Sequence, residues 1–346
     1  IISRLLLLFA FLIPSAWSSS SFNEELALDM DFPDPSIMLA DDGWYYAYAT
    51  QTMLDGEFLN LKSNLDPKSA RPVLVNIQLA KSQDLKNWKY VGEAMPDRPP
   101  WAFTTQKIWA PHVVKLGQQY VMYYSALQDF TDQFCIAVAT SSNPAGPFVD
   151  MGKPLVCGNS FENIDPVYFK DPLSKKSYLY WGSGFAPIRA QELSNDGLSF
   201  AVGSMPINLL YPRSVGPEPN YQRLVEAAWV TYNEGYYYLF FSGANCCDPN
   251  PSYAVMVARS RNALGPFEIS GRADRTYGVI LSESARFTAM GHNAVITDKD
   301  GIQWLFFHGI DRSKPYLKHA IPGDRNVRRV FLRARLGWKN LWPVAL

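Results

Sequence analysis

Charge is scarce in this chain, and it is balanced. Asp, Glu, Lys and Arg make up only 18% of 346 residues, with 32 basic residues against 32 acidic ones. That balance leaves no electrostatic footprint for nucleic acid or an anionic membrane, so neither is expected as a partner. The 4 cysteines contain no Cys-x-x-Cys and no Cys/His ligand spacing, which argues against a structural zinc site. No Asn-x-Ser/Thr acceptor occurs, and no internal apolar run approaches the roughly 18 residues of a membrane-spanning helix. Helical periodicity of any length is missing too, which counts against an α/β fold.

Aromatic residues are what the chain has in plenty. They reach 14%, with 10 Trp and 19 Tyr, in a chain that is 47% hydrophobic. Such a mix favours strands and stacking surfaces, and a neutral partner. Sugars are the obvious neutral polymer.

The first residues read as an address. Ser3 and Arg4 precede an apolar run over 5–14, and Ser15, Ala16 and Ser18 supply small residues for cleavage between about Ala16 and Ser20. Residues 1–20 are therefore expected to be a signal peptide, truncated at its start because no Met leads it. Residues 21–346 are expected to be one secreted, extracellular, monomeric catalytic domain. Cys135, Cys157, Cys246 and Cys247 allow three pairings, and adjacent Cys246 and Cys247 either bond to each other or bond elsewhere.

Internal repetition gives the architecture. WAPHVVKLGQQYVMYYSA (109–126) aligns with EAAWVTYNEGYYYLFFSGA (226–244): an apolar strand, a turn, then an aromatic strand ending in Ser. Each is followed by the same third element, CIAVATSSNPAGPFVD (135–150) or AVMVARSRNALGPFEI (254–269), and IQLAKSQDLKNWKYVG (77–92) is a looser copy with Trp88 in place of Phe. Five units start near Asp34, Trp109, Asp165, Glu226 and His292. Four antiparallel strands repeated radially make a propeller blade, so the chain is expected to be an all-β, five-bladed β-propeller. A β-sandwich would not explain why each unit opens on a functional-looking residue.

Propeller geometry converts the repeat into a site. The first strand of each blade lines the central channel, so Asp34, Asp165, Glu226 and His292 should meet at one end of it. The loops after the second strands, about 51–76, 125–134, 183–187, 243–252 and 309–325, should rim the same end. Hydrolysis of an acetal needs one carboxylic acid to protonate the leaving oxygen and one carboxylate to activate water. A third carboxylate raises the acid's pKa by like-charge repulsion. The residues alone do not say which is which.

DPSI (34–37), WAP (109–111), IDP (164–166), VEAAW (225–229) and GHN (291–293), in that order, resemble the signature of glycoside hydrolase family 43, over about residues 29–342. The resemblance implies a five-bladed propeller acting on arabinose- or xylose-containing polysaccharides by inversion. It implies Asp34 as general base, Glu226 as general acid and Asp165 as the residue that tunes Glu226. It implies substrate contact by Trp109 and His292, with His292 touching a structural calcium ion or its water; the chemistry itself needs no cofactor. Two departures stand out. His112 follows WAP where many relatives carry an acid, and Ala227 and Ala228 replace Gly-Pro after Glu226, so subsite shape is expected to differ.

Each residue also has a plainer reading. Asp before Pro starts turns, His292 serves as a core histidine, and Trp109 serves equally as inter-blade packing. The tail Arg325, Arg328, Arg329, Arg333 and Arg335 alternates with apolar residues and reads as a last-blade strand with a solvated face. An α-L-arabinofuranosidase or β-xylosidase is the first functional expectation, an endo-1,5-α-L-arabinanase or galactan-active enzyme the second. The long first-blade insertion over 51–75 favours exo action by walling off one end of a groove. A non-catalytic carbohydrate-binding propeller has no use for three convergent carboxylates, and the short repeats of protein-binding propellers are absent.

Overall fold

The computed structural model describes residues 22–54, 72–104, 107–214, 219–247, 250–269, 277–321 and 326–346. The expected signal peptide, residues 1–20, lies outside them, and so does most of the first-blade insertion. Among the described residues, no helix is long and apolar enough to cross a membrane.

The fold is the expected five-bladed β-propeller. The first blade runs Ser36–Leu39, Tyr45–Ala49, Gln78–Ser82 and Lys89–Glu93 from the channel outward. The second runs Ile108–Leu116, Gln119–Leu127, Phe134–Ser141 and Val149–Asp150; the third Val167–Lys170, Ser177–Trp181, Ile188–Glu192 and Ile207–Leu210. The fourth runs Val225–Asn233, Tyr236–Gly243, Ala254–Ser260 and Glu268–Ile269. Every neighbour pair is antiparallel, and the aromatic second strands are buried on both faces, which explains their continuous rather than alternating apolar pattern.

The fifth blade corrects the sequence reading. Phe287–Thr297, Gln303–Asp311 and Val330–Lys339 are its inner three strands, but its outer strand is the N-terminal Glu25–Asp31, paired Glu25 to Arg333 and Asp31 to Val330. The ring is thus closed by the two ends of the chain. Arg333 belongs to the strand as expected, yet its side chain is 6% exposed and pairs with Glu25, while Arg328 and Arg329 precede the strand at 14% and 15%. Of the described arginines of this tail only Arg335, on the strand itself, is exposed as the solvated face was expected to be; Arg325 lies outside the described residues.

Blades pack through the repeated turn after the third strand. Phe148 meets Tyr48 of the preceding blade edge-on at 6.0 Å, and the Tyr48 hydroxyl donates to Pro144 O at 2.6 Å. Trp88 does the same against Phe306 of the fifth blade at 5.7 Å, and Tyr180 donates to Ala263 O of the fourth at 2.7 Å. Gly146 has a φ of +86°, and a Cβ there would lie 2.3 Å from Ala94 O, so this blade junction requires glycine.

Candidate active site

Each inner strand has a left-handed residue near its head, Asp34, Ala110, Asp165, Ala227 and His292, with φ between 47° and 60°, and the fifth has a second, Ala289. Non-glycine residues adopt that region only at a cost of order 1–3 kcal/mol, so five of them at equivalent places mark a built feature. Bulges span the head in the second, fourth and fifth blades, between Trp109 and His112, Glu226 and Trp229, and Gly291 and Ala294. In the second and fourth blades the residue just before the head, Trp109 or Glu226, lines the channel mouth, and in the fifth the head residue His292 does so itself.

The polar residue ending each second strand holds the head of the next blade. Ala110 N–H donates to Thr50 Oγ1 (2.8 Å), Asp165 N–H to Ser125 Oγ (3.1 Å), His292 N–H to Ser242 Oγ (2.8 Å) and Asp34 N–H to His308 Nδ1 (3.0 Å). The fourth blade differs. There the head N–H of Ala227 donates to Asp165 Oδ2 at 3.0 Å, which frees the Ser183 hydroxyl to donate to Glu226 Oε2 at 2.5 Å.

The expected carboxylates do converge. Asp34, Asp165, Glu226 and His292 line one cavity of about 970 Å³ at the channel mouth, and all three carboxylates are buried. Its wall draws on the rims of the second, third and fourth blades, through Thr131, Phe185 and the segment from Ala244 to Cys247. A second cavity of about 540 Å³ lies between the first and fifth rims, lined by Asp31, Thr52, Tyr316 and Arg328. The described base of the first-blade insertion, a hairpin pairing Thr52 with Val75, faces this second cavity rather than the carboxylates. Residues 55–71, on which the exo expectation rested, lie outside the described ones.

Asp34 sits among donors. Its Oδ1 receives Arg329 Nη1 at 2.9 Å and faces His292 Nδ1 at 3.2 Å; its Oδ2 receives the Thr50 hydroxyl at 2.6 Å. Burial pushes this carboxyl up, but Arg329 and His292 outweigh it and hold the carboxyl well below its usual range. His308 stays neutral, pushed down to about 4 chiefly by burial, with its Nδ1 lone pair taken by the Asp34 N–H. That pattern assigns its proton to Nε2.

Glu226 and Asp165 are shifted the other way. Burial raises both, and repulsion between Glu226 and Asp165 adds to the shift of Asp165. Ser183 and Tyr253, whose hydroxyl donates to Glu226 Oε1 at 2.7 Å, offset part of the rise on Glu226. His292 lies between the two sets, 4.0 Å from Asp165 Oδ2, and the carboxylates hold its proton against the effect of burial.

Trp109 lines the cavity, with its ring stacked on Phe134 at 4.4 Å, so its packing partner is a strand of its own blade rather than a neighbouring blade. His112 does not line the cavity. It is buried edge-on against Trp229 at 5.2 Å and pushed down to about 3 by burial, so this departure alters the channel and not the subsite. Calcium prefers six to eight oxygen ligands. Here His292 Nδ1 is committed to Asp34 and Asp165, and among the described residues no three His, Cys, Asp or Glu side chains are grouped to hold a metal. A calcium touching His292 would therefore take most of its oxygen ligands from water rather than from a cluster of this protein's side chains, and no step below passes through one.

Arg329, Ser183, Tyr253 and Thr50 were not singled out from the sequence. Thr50 and Ser183 had a signal, the polar residue closing each aromatic strand. Arg329 was masked by the basic tail, and Tyr253 lies in an irregular segment. The cysteines pair as Cys135–Cys157, at directly opposed positions of neighbouring strands, and Cys246–Cys247, which lines the cavity.

Known proteins share both sequence and shape with this chain. The extracellular endo-alpha-(1->5)-L-arabinanase 1 of Bacillus subtilis (strain 168) is 26% identical, over 77% of this chain and 79% of its own. An extracellular exo-alpha-(1->5)-L-arabinofuranosidase of Cellvibrio japonicus is 25% identical, over 70% and 75%. The crystal structure of a thermostable family-43 glycoside hydrolase superposes with a TM-score of 0.70 at 23% identity, covering 94% of this chain and 96% of that one. An exo-1,5-alpha-L-arabinanase from a bovine ruminal metagenomic library gives 0.67 at 24%, covering 91% and 97%. The model of the glycosyl hydrolases family 43 matches residues 27–343, so the chain belongs to that family and is a glycosidase.

Proposed function

We propose that this glycosidase is secreted and hydrolyses α-1,5-linked L-arabinan or its oligosaccharides with inversion at the anomeric carbon. The observation that carries the reading is the division of one buried cavity into an ionised carboxylate, Asp34, and a raised pair, Glu226 and Asp165. Asp34 takes a proton from water as the water oxygen attacks the anomeric carbon. Glu226 gives its proton to the leaving glycosidic oxygen as that carbon–oxygen bond breaks. Burial and the negative charge of Asp34 keep Glu226 protonated, Asp165 positions Glu226 by accepting the N–H of the adjacent Ala227, and His292 and Arg329 hold Asp34 ionised and in place. The named activities of the relatives favour arabinan over xylan as substrate.

The test is release of p-nitrophenol from aryl arabinofuranoside and xyloside, and of reducing sugar from arabinan, xylan and galactan, with Glu226→Gln as control. Wild-type and variant protein equally inert on all five would end the enzymatic reading of this site. Proton NMR of the first-formed sugar tests inversion: the anomer opposite to the substrate's is expected, and retention would overturn the role given to Asp34.

A further inference from the structure

We propose that the Cys246–Cys247 disulfide forms a wall of the leaving-group subsite and contacts the sugar on the far side of the scissile bond. The proposal rests on the functional reading above. Both cysteines line the cavity that holds Glu226. They stand beyond Tyr236–Gly243 with two residues between, and in that strand Ser242 pairs with Glu226 and Gly243 with Val225, so the disulfide lies at the rim beside the acid. The acid faces the leaving oxygen while the base attacks from the opposite side, where Asp34 is held by Arg329. A sugar leaving from Glu226 must therefore pass along this rim.

The disulfide's place in the chain argues for a contact role rather than a stabilising one. A cross-link stabilises chiefly by closing a loop in the unfolded chain, and the effect grows with loop length. Cys135–Cys157 spans a separation of 22, whereas Cys246–Cys247 spans 1 and closes almost nothing. What it does is lock two side chains into one small ring, presenting two sulfurs and two β-carbons as an uncharged, polarizable face. Such a face suits the C–H side of a sugar ring, as soft sulfur suits other apolar surfaces.

The surrounding segment keeps that face in place. Asn245 O accepts the Ser252 N–H at 2.9 Å, and Asn245 Oδ1 accepts the Cys247 N–H at 3.3 Å. Cys246 packs against the cluster of Tyr253, Ala289 and Ile310. Phe185, 76% exposed, reaches the same cavity from the third-blade rim and supplies an aromatic surface of the same kind.

Cys246→Ala combined with Cys247→Ala tests the assignment, through steady-state kinetics on arabinotriose and on p-nitrophenyl arabinofuranoside. The expected result is a KM for arabinotriose raised about five- to tenfold, the scale of one lost contact, with kcat changed less than threefold and a smaller KM rise for the aryl substrate, whose nitrophenyl group occupies the same subsite without a sugar's C–H face. Reduction of the unsubstituted protein by a small dithiol, scored by thiol counting and compared with a Cys135→Ala/Cys157→Ala background, should give the same KM rise without a substitution at the rim. An unchanged KM for arabinotriose overturns the proposal. So does an equal loss of kcat on both substrates with a shifted alkaline limb, since that would mean the disulfide acts through Tyr253 on Glu226. Wild-type protein inert on every arabinose substrate would remove the functional reading together with this one, whereas an active wild type with an unmoved KM removes this one alone.

Discussion

Glu226 stands one residue ahead of the place that Asp34 holds in its own blade: the left-handed head of the fourth blade is Ala227, with a φ of 56° against 55° at Asp34. The offset has a chemical result. The Ala227 N–H takes Asp165 Oδ2 as acceptor, and Ser183, which would otherwise hold that N–H, donates to Glu226 instead. Base and acid therefore sit in different hydrogen-bond environments within one repeated frame.

Ser183→Ala should move the alkaline limb of the pH–rate profile upward. The hydroxyl donates to the ionised form of Glu226 and so lowers its pKa; removing it raises the pKa, and the acid stays protonated to higher pH. The upward shift is expected together with a kcat lower by roughly tenfold from lost positioning. Tyr253→Phe should act in the same direction, and an alkaline limb that moves down in both variants would contradict the assignment.

Arg329→Ala should move the acid limb upward. The guanidinium is the largest of the influences that oppose burial at Asp34, and without it the base protonates at higher pH. A loss of about 10²- to 10³-fold in kcat/KM is expected, with Arg329→Lys intermediate because it keeps charge but loses the fixed fork. Kinetics from pH 3 to 8 decide it.

Asp165→Asn should stabilise the fold while it disables the enzyme. A carboxyl raised by burial has a folded pKa above its unfolded one, so it costs stability as pH rises through that window. Asparagine removes the charge yet keeps an oxygen for the Ala227 N–H. A melting temperature a few degrees higher at pH 8, with no gain at pH 4, is expected by calorimetry; a fall at pH 8 would show that Asp165 is needed ionised.

The sequence made most of this fold legible because each blade repeats the same three strands, so weak patterns reinforced one another. Ring closure by Glu25–Asp31 was not legible, because that strand has no copy in the other blades. The carboxylates were found by aligning acidic residues, and that same choice hid the one-residue offset at Glu226, which only the left-handed heads reveal. Arg329 and Tyr253 were missed for a different reason. They approach the site from connecting segments, where no periodic pattern ties sequence position to direction.

The division of labour between Asp34 and Glu226 is tested most directly by the leaving-group dependence of Glu226→Ala. On a dinitrophenyl arabinofuranoside, whose leaving group departs without a proton, the variant should retain rates within about a hundredfold of wild type; on arabinotriose, which needs the proton, the loss should reach about 10⁴-fold or more. Equal losses on the two substrates would contradict the account, because Glu226 would then not be the acid.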